Sequence, residues 1–208
     1  MVHALQHPQT ALLAQTSSPR YLRSTHISYT DPSSIANPRR VYFPGVRPIG
    51  INPSLWTAAT GAHFARPGNR FYPAFFRAGL TAHQFDASGG YADADFDELQ
   101  ERGIGVSNLV PRATARADEL TTDELRQAPA RLDDIVSKHH PKVVAVLGIT
   151  AYRKAFSLPK AAIGEQDSPW EGTRLFVLDN PSGLNAHASV ADHAAGYRKV
   201  AKAAGIAI

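Results

Sequence analysis

The run KVVAVLG at residues 142–148 constrains the fold of this 208-residue chain more than any other segment. A continuous apolar run of this length is typical of a strand that is buried on both faces of a parallel sheet. Helical patterns at 131–140 and 150–156 flank it, and RLFVLDN at 174–180 predicts the next strand. We therefore predict an α/β fold, a three-layer α/β/α sandwich with a central, mainly parallel β-sheet.

Residues 1–40 differ in composition from the rest of the chain. They contain four prolines among many Ser, Thr and Gln residues and have no sustained hydrophobic period. We predict that 1–40 form a flexible or irregular N-terminal arm and that 41–208 form a single domain. The domain begins with strand-like residues up to Ile51, which Pro44 and Pro48 interrupt.

Two helix starts are predicted from capping boxes. Thr121 and Glu124 have the required spacing, and so do Ser189 and Asp192. The first box predicts a helix that continues past a break at Pro129, and the second predicts the final helix of the chain.

The charge and the amino-acid composition exclude several classes of protein. The net charge of +4 arises entirely within residues 1–47, so the body of the chain is neutral. Cysteine is absent, which excludes disulfides, thiolate nucleophiles and iron–sulfur clusters. The sequence has no apolar run of the roughly 18 residues that a membrane span needs, and its start does not resemble a secretory signal. We expect a cytoplasmic monomer with no membrane partner.

The predicted strand ends share an unusual tripeptide. In open α/β sheets the ligand site lies at the carboxyl ends of the strands. Asn-Pro-Ser occurs at 52–54 and again at 180–182, while Ser107-Asn108 and residues 148–150 follow two other strands. Each tripeptide taken alone fits turn chemistry. Two of them on the same rim favour a polar pocket lined by amides. The motifs of phosphate-loop enzymes, serine hydrolases and helical zinc sites are missing.

Four segments carry a resemblance to a known family. They are GINPS at 50–54, TGAHFARPGNRFY at 60–72, GVSNLVPR at 105–112 and NPSGL at 180–184. Together they resemble the mismatch-specific uracil-DNA glycosylases, which belong with the thymine-DNA glycosylases to the uracil-DNA glycosylase superfamily. The resemblance implies a DNA repair enzyme that flips uracil, notably in G·U mismatches, out of double-stranded DNA. Hydrolysis of the N-glycosidic bond would then leave an abasic site.

The resemblance also implies roles for residues of the first two segments. Asn52 would hold the attacking water, and Phe64 would stack on the flipped base. Phe64 could instead be a core residue beside Phe71. Ile51 and Asn69 would line the same pocket, where Asn69 either reads a pyrimidine edge or caps a helix that runs through residue 77.

The last segment resembles the family's intercalation loop. Asn180 stands where other branches place a histidine that donates to a uracil carbonyl. Ser182 and Gly183 would approach the minor groove, with Ser182 gripping a phosphate. Leu184 would fill the gap that the flipped nucleotide leaves. Asn185 follows where relatives often carry arginine, and it would also contact DNA.

One acidic segment invites a second hypothesis about catalysis. Residues 86–101 contain six acids and no Lys or Arg. They fit a solvated loop and helix start, but Asp93, in preference to Asp95, could also polarise the water that the amide of Asn52 cannot deprotonate.

No metal or organic cofactor is implied by the sequence. The six lysines begin at Lys138 and none adjoins the motifs at 50–54 and 180–184, which argues against a Schiff base with the sugar. We therefore predict a monofunctional glycosylase associated with the nucleoid. Two alternatives stay open: a catalytically weak relative that binds mismatched DNA, and an α/β protein that binds a free nucleoside.

Overall fold

A computed structural model describes residues 44–208 of the chain. Its strands are β1 (Val46–Gly50), β2 (Ser107–Asn108), β3 (Val143–Leu147), β4 (Gly164–Gln166) and β5 (Arg174–Leu178). Its helices are α1 (Leu55–Thr60), α2 (Phe71–Arg77), α3 (Asp93–Glu101), α4 (Thr122–Arg126), α5 (Ala128–His139), α6 (Ile149–Ala155) and α7 (Val190–Ala204). The predicted arm at 1–40 and the start of the predicted domain at 41–43 lie outside the described residues.

The strands form one sheet in the order β2-β1-β3-β5-β4. Neighbouring strands run parallel except β4, which pairs antiparallel with β5 at the edge. The prediction of an α/β fold with a central, mainly parallel sheet is therefore confirmed. The short edge strand β4 was not predicted, because GEQ carries no hydrophobic pattern.

Alternate residues of β3 face two separate apolar clusters. Val143, Ala145 and Leu147 pack with residues of α2, α3 and α7 on one face of the sheet. Val144 and Val146 pack with residues of α4, α5 and α6 on the other face. The continuous apolar run follows from this arrangement, since each face of β3 is covered by helices. Among the described helices, none is long and apolar enough to cross a membrane.

Pro48 lies within β1 without breaking it. The backbone groups of Val46 and Gly50 form hydrogen bonds with the segment 103–109. Because bonding direction alternates along a strand, Pro48 also faces that segment, and its missing N–H does not weaken the pairing with β3. On the β2 side the paired strand consists of only two residues, so a lost donor is tolerated there.

The predicted capping boxes both begin helices. Thr121 and Glu124 cap α4, and Ser189 and Asp192 cap α7 with reciprocal backbone hydrogen bonds. Helix α1 was not predicted. Its first turn is closed by Ser54 from the first Asn-Pro-Ser tripeptide, whose hydroxyl accepts the N–H of Thr57 at 3.1 Å. The turn chemistry of that tripeptide is therefore present beside its place at a strand end.

Candidate active site

An open cavity of about 430 Å³ lies at the carboxyl ends of β1, β2 and β5. Most of the residues singled out from the sequence line it. They are Ile51, Asn52, Phe64, Asn69, Asn180, Ser182, Leu184 and Asn185. The end of β3 also lies close to the cavity, because a Cβ at Gly148 would be 3.0 Å from Cδ1 of Ile51, which lines it.

The side chain of Asn52 is held in one orientation. Its Nδ2 donates to the carbonyl oxygens of Pro53 at 3.1 Å and Arg112 at 3.0 Å, and to Thr114 Oγ1 at 2.7 Å. Carbonyl oxygens can only accept, so the amide nitrogen must face them. The Oδ1 atom has no hydrogen-bond partner within residues 44–208, so Asn52, which lines the cavity, has an acceptor left for a water molecule.

Thr114 completes this arrangement from a distant part of the chain. Its hydroxyl donates to the carbonyl of Arg116 at 2.7 Å, so the same oxygen is left to accept from Asn52. Thr114 is buried, and its N–H donates to the carbonyl of Pro53. The Arg112 guanidinium binds the Glu124 carboxylate and holds the pKa of that carboxyl down at about 2. The segment behind Asn52 is thus anchored to the start of α4.

Phe64 lies beside Phe71, as its interpretation as a core residue predicts, and it also lines the cavity. Its ring stacks on the ring of Phe71 with centroids 4.1 Å apart and planes 19° from parallel. The ring also lines the cavity, close to the Cα of Gly50. Phe64 has a φ of 55°, a left-handed conformation that is costly for a bulky residue. Because the ring of Phe64 both lines the cavity and stacks on Phe71, it forms a cavity wall that Phe71 supports.

Asn69 and Asn180 each use one amide atom in the local fold. Asn69 Oδ1 accepts the N–H of Phe71 at 2.9 Å and so caps α2, one residue before the N-cap position. Asn180 Oδ1 accepts the N–H of Ser182 at 3.0 Å. Neither Nδ2 has a hydrogen-bond partner within residues 44–208, and both residues line the cavity. The cavity therefore offers two amide donors, which match carbonyl oxygens of a bound base.

The loop at 180–185 projects an apolar side chain at the rim. Leu184 is 73% exposed, the most exposed large hydrophobic residue in the described chain. The hydroxyl of Ser182 accepts the N–H of Leu184, and Asn185 Nδ2 donates back to the carbonyl of Asn180 at 2.9 Å. These bonds close the loop, and the Nδ2 group of Asn185 is used inside it while its Oδ1 accepts the N–H of His187. Gly183 packs on Gly68 instead of lining the cavity.

Comparison with known families identifies the fold that carries this cavity. A family model described as Uracil DNA glycosylase superfamily matches residues 44–202. That match covers most of the chain. The chain belongs to the uracil DNA glycosylase superfamily. Membership supports a uracil-DNA-glycosylase-like function with DNA as the substrate, and the cavity lies where the fold places its strand ends.

The acidic segment at 86–101 does not line the cavity, where the hypothesis about Asp93 requires a carboxylate. Asp93 is exposed at the start of α3 and is not among the residues that line the cavity. Asp95 is buried and accepts from His83 Nε2 at 2.8 Å, and Glu98 binds Arg102. The geometry does not support a catalytic role for Asp93, because these acids face the packing of α3 or solvent.

Several residues that line the cavity were given no role in the sequence analysis. Buried His63 and Asn108 lie together, with Asn108 Nδ2 3.3 Å from His63 Nδ1. Arg116 and Asp118 form an exposed ion pair at the rim, and the hydrogen bond from Arg116 lowers the pKa of the Asp118 carboxyl. The strand-end rule points to Asn108 and the segment at 60–72 includes His63, but no local pattern marks Arg116 or Asp118. Within residues 44–208 no group of three or more His, Asp or Glu side chains could hold a metal ion.

Proposed function

We propose that this member of the superfamily is a monofunctional DNA glycosylase that removes uracil, notably from G·U mismatches. The observation that carries the proposal is that one cavity combines a fixed acceptor, Asn52 Oδ1, with an exposed apolar side chain, Leu184, which we call the wedge. Asn52, whose Nδ2 is bound by the protein and whose Oδ1 is left as an acceptor, lines the same cavity as the exposed Leu184. A free nucleoside leaves no gap for Leu184 to fill, so this pairing favours a nucleotide flipped from duplex DNA.

The proposed reaction begins with extrusion of the target nucleotide. Leu184 enters the stack where the nucleotide was, and the uracil ring slides against Phe64. The amide donors of Asn69 and Asn180 bind the uracil carbonyl oxygens. Pairing energy is lower for a mismatched uracil than for a Watson–Crick pair, so G·U sites are opened most easily.

Bond cleavage then rests on charge stabilisation and positioning. The N1–C1′ bond breaks and its electron pair stays with uracil, while the sugar gains positive charge. The amide donors stabilise the developing uracil anion, as preorganised dipoles do in other enzymes. Water held by Asn52 Oδ1 attacks C1′ and releases a proton, and uracil is protonated on leaving. The net reaction is hydrolysis to an abasic site and free uracil.

A single-turnover assay tests the proposal. End-labelled duplexes with U·G, U·A or T·G are incubated with excess protein and then treated with alkali. We expect alkali-dependent cleavage of U·G first, and a loss of about 10²- to 10³-fold in Asn52→Ala. Product that is nicked without alkali would contradict a monofunctional enzyme. Binding to U·G without cleavage would identify a mismatch binder instead.

Two further variants separate the roles of the acids and the wedge. Asp93→Ala is expected to keep the wild-type rate, because its carboxylate does not line the cavity. A loss of cleavage rate comparable to that of Asn52→Ala would instead support a catalytic role for Asp93. Leu184→Ala is expected to lose at least about tenfold on duplex substrates while folding normally, since its side chain is exposed.

A further inference from the structure

Arg70 joins two walls of the cavity that are more than a hundred residues apart in sequence. Its backbone N–H donates to the carbonyl of Pro181 at 2.8 Å. Its Nη1 donates to the carbonyl of Ser182 at 3.0 Å and to that of Asn185 at 2.6 Å. One residue before α2 therefore bonds three of the six residues of the 180–185 loop.

A close backbone contact reinforces this junction. A Cβ at Gly183 would lie 2.5 Å from the carbonyl oxygen of Gly68. That distance is shorter than any ordinary contact, so the loop rests directly on the segment that carries Asn69 and Arg70. Leu184 follows immediately and is largely exposed to solvent. Leu184 is thus carried by a loop that contacts the segment 68–70 at several points.

We infer that Arg70 is a positioning residue that fixes the 180–185 loop for insertion of Leu184 into duplex DNA. This inference rests on the proposed function, since it concerns how the wedge of that reaction is mounted. A wedge on a flexible loop must be ordered when DNA binds, and the entropy lost in that ordering makes the free energy of insertion less favourable. The guanidinium of Arg70 orders the loop in advance by satisfying two of its carbonyls.

The role of Arg70 differs from that of a phosphate ligand. An arginine that binds a backbone phosphate contributes to the salt dependence of binding, with a slope of about 0.9 per phosphate contacted. Arg70 instead directs its Nη1 to carbonyl oxygens of the protein, and it is half-buried. We therefore expect its removal to change wedge insertion and to leave the salt slope of DNA binding unchanged.

The experiment compares Arg70→Ala, Leu184→Ala and the double variant with wild type. Each is assayed in single turnover on a U·G duplex and on a bulged uracil, which has no partner base to open. 2-Aminopurine placed next to the uracil reports flipping by its fluorescence, independently of cleavage. Arg77→Ala is the matched control, because it removes the same charge from the far, exposed end of α2.

The expected result is a loss of about tenfold for Arg70→Ala on the U·G duplex, from two hydrogen bonds removed. The loss on the bulged uracil should be much smaller, and the fluorescence change on the duplex should fall. The double variant should be no slower than Leu184→Ala, because both act through the wedge. Arg77→Ala should match wild type, and Arg70→Ala should unfold cooperatively on heating.

Three outcomes would overturn the inference. They are equal losses on the two substrates, additive losses in the double variant, or a salt slope that falls by about one in Arg70→Ala. A wild-type protein that flips but does not cleave would defeat the proposed function, while the fluorescence series would still test Arg70. A wild-type protein that does neither would defeat both.

Discussion

Asn52 Nδ2 lies 2.7 Å from Thr114 Oγ1, a contact between residues 62 positions apart in the chain. The hydroxyl of Thr114 is itself directed to the carbonyl of Arg116, so it can only accept from the amide. These two hydrogen bonds fix the orientation of the Asn52 amide and leave its Oδ1 as the free acceptor.

Thr114→Val is expected to slow single-turnover cleavage of U·G by about tenfold, the equivalent of one well-placed hydrogen bond. Valine keeps the shape of threonine but removes the acceptor that orients Asn52. Thr114→Ser retains the hydroxyl and is the control, with a rate close to wild type. A valine variant as fast as wild type would show that the two carbonyl contacts of Asn52 suffice.

Asn52→Asp is expected to destabilise the fold by about 1–3 kcal/mol, measured by urea unfolding at neutral pH. A carboxylate would direct an oxygen at the carbonyls of Pro53 and Arg112, which can only accept. Asn52→Ala loses the same donor without adding a charge, so it should be the more stable variant. The opposite order would mean that the aspartate side chain turns into the cavity.

Gly50→Ala is expected to lower both stability and the rate of cleavage. The added Cβ would lie 2.6 Å from Asn108 Oδ1 and 3.2 Å from Phe64 Cζ, so one of these side chains must move. Overpacking of this kind costs about 1–3 kcal/mol. Gly89→Ala is the matched control, because nothing lies within 4 Å of its added carbon. Urea unfolding and the U·G assay on both variants provide the comparison.

The ion pair between Arg112 and Glu124 predicts a pH-dependent stability. The pKa of Glu124 falls from 4.5 to about 2 on folding, chiefly through the hydrogen bond from Arg112. Its ionised form is therefore favoured in the folded state, and the stabilisation is complete above pH 4.5 and lost as the pH falls towards 2. Both side chains are partly exposed, so we expect a contribution of about 1 kcal/mol or less.

The comparison of Glu124→Gln with wild type measures that contribution. The two proteins should differ in free energy of unfolding at pH 7 and converge as the pH is lowered below 4.5. Glutamine can still accept from the N–H of Thr121, which preserves part of the helix cap. A difference that persists unchanged at pH 3 would assign the effect to packing instead of charge.

Features that depend on neighbours in the sequence could be predicted without the structure. The apolar run of β3 indicated a buried parallel strand, and the capping boxes at Thr121 and Ser189 marked the starts of α4 and α7. The strand-end rule brought Asn52 and Asn180 to one rim. Each of these inferences needs only short-range periodicity, capping chemistry or the shared direction of parallel strands.

The contacts that orient the site were decided by tertiary structure. Thr114 reaches Asn52, and Arg70 reaches the 180–185 loop, only because separate connections fold over the same end of the sheet. The place of Asp93 outside the cavity lining was decided in the same way, since the spacing of acids does not encode the path of a loop. The sequence by itself determined the apolar strands β3 and β5, the capped starts of α4 and α7, and the chemical types of side chain at the rim. Tertiary structure decided which atoms of those side chains meet, because that depends on long-range packing of loops that carry no local period.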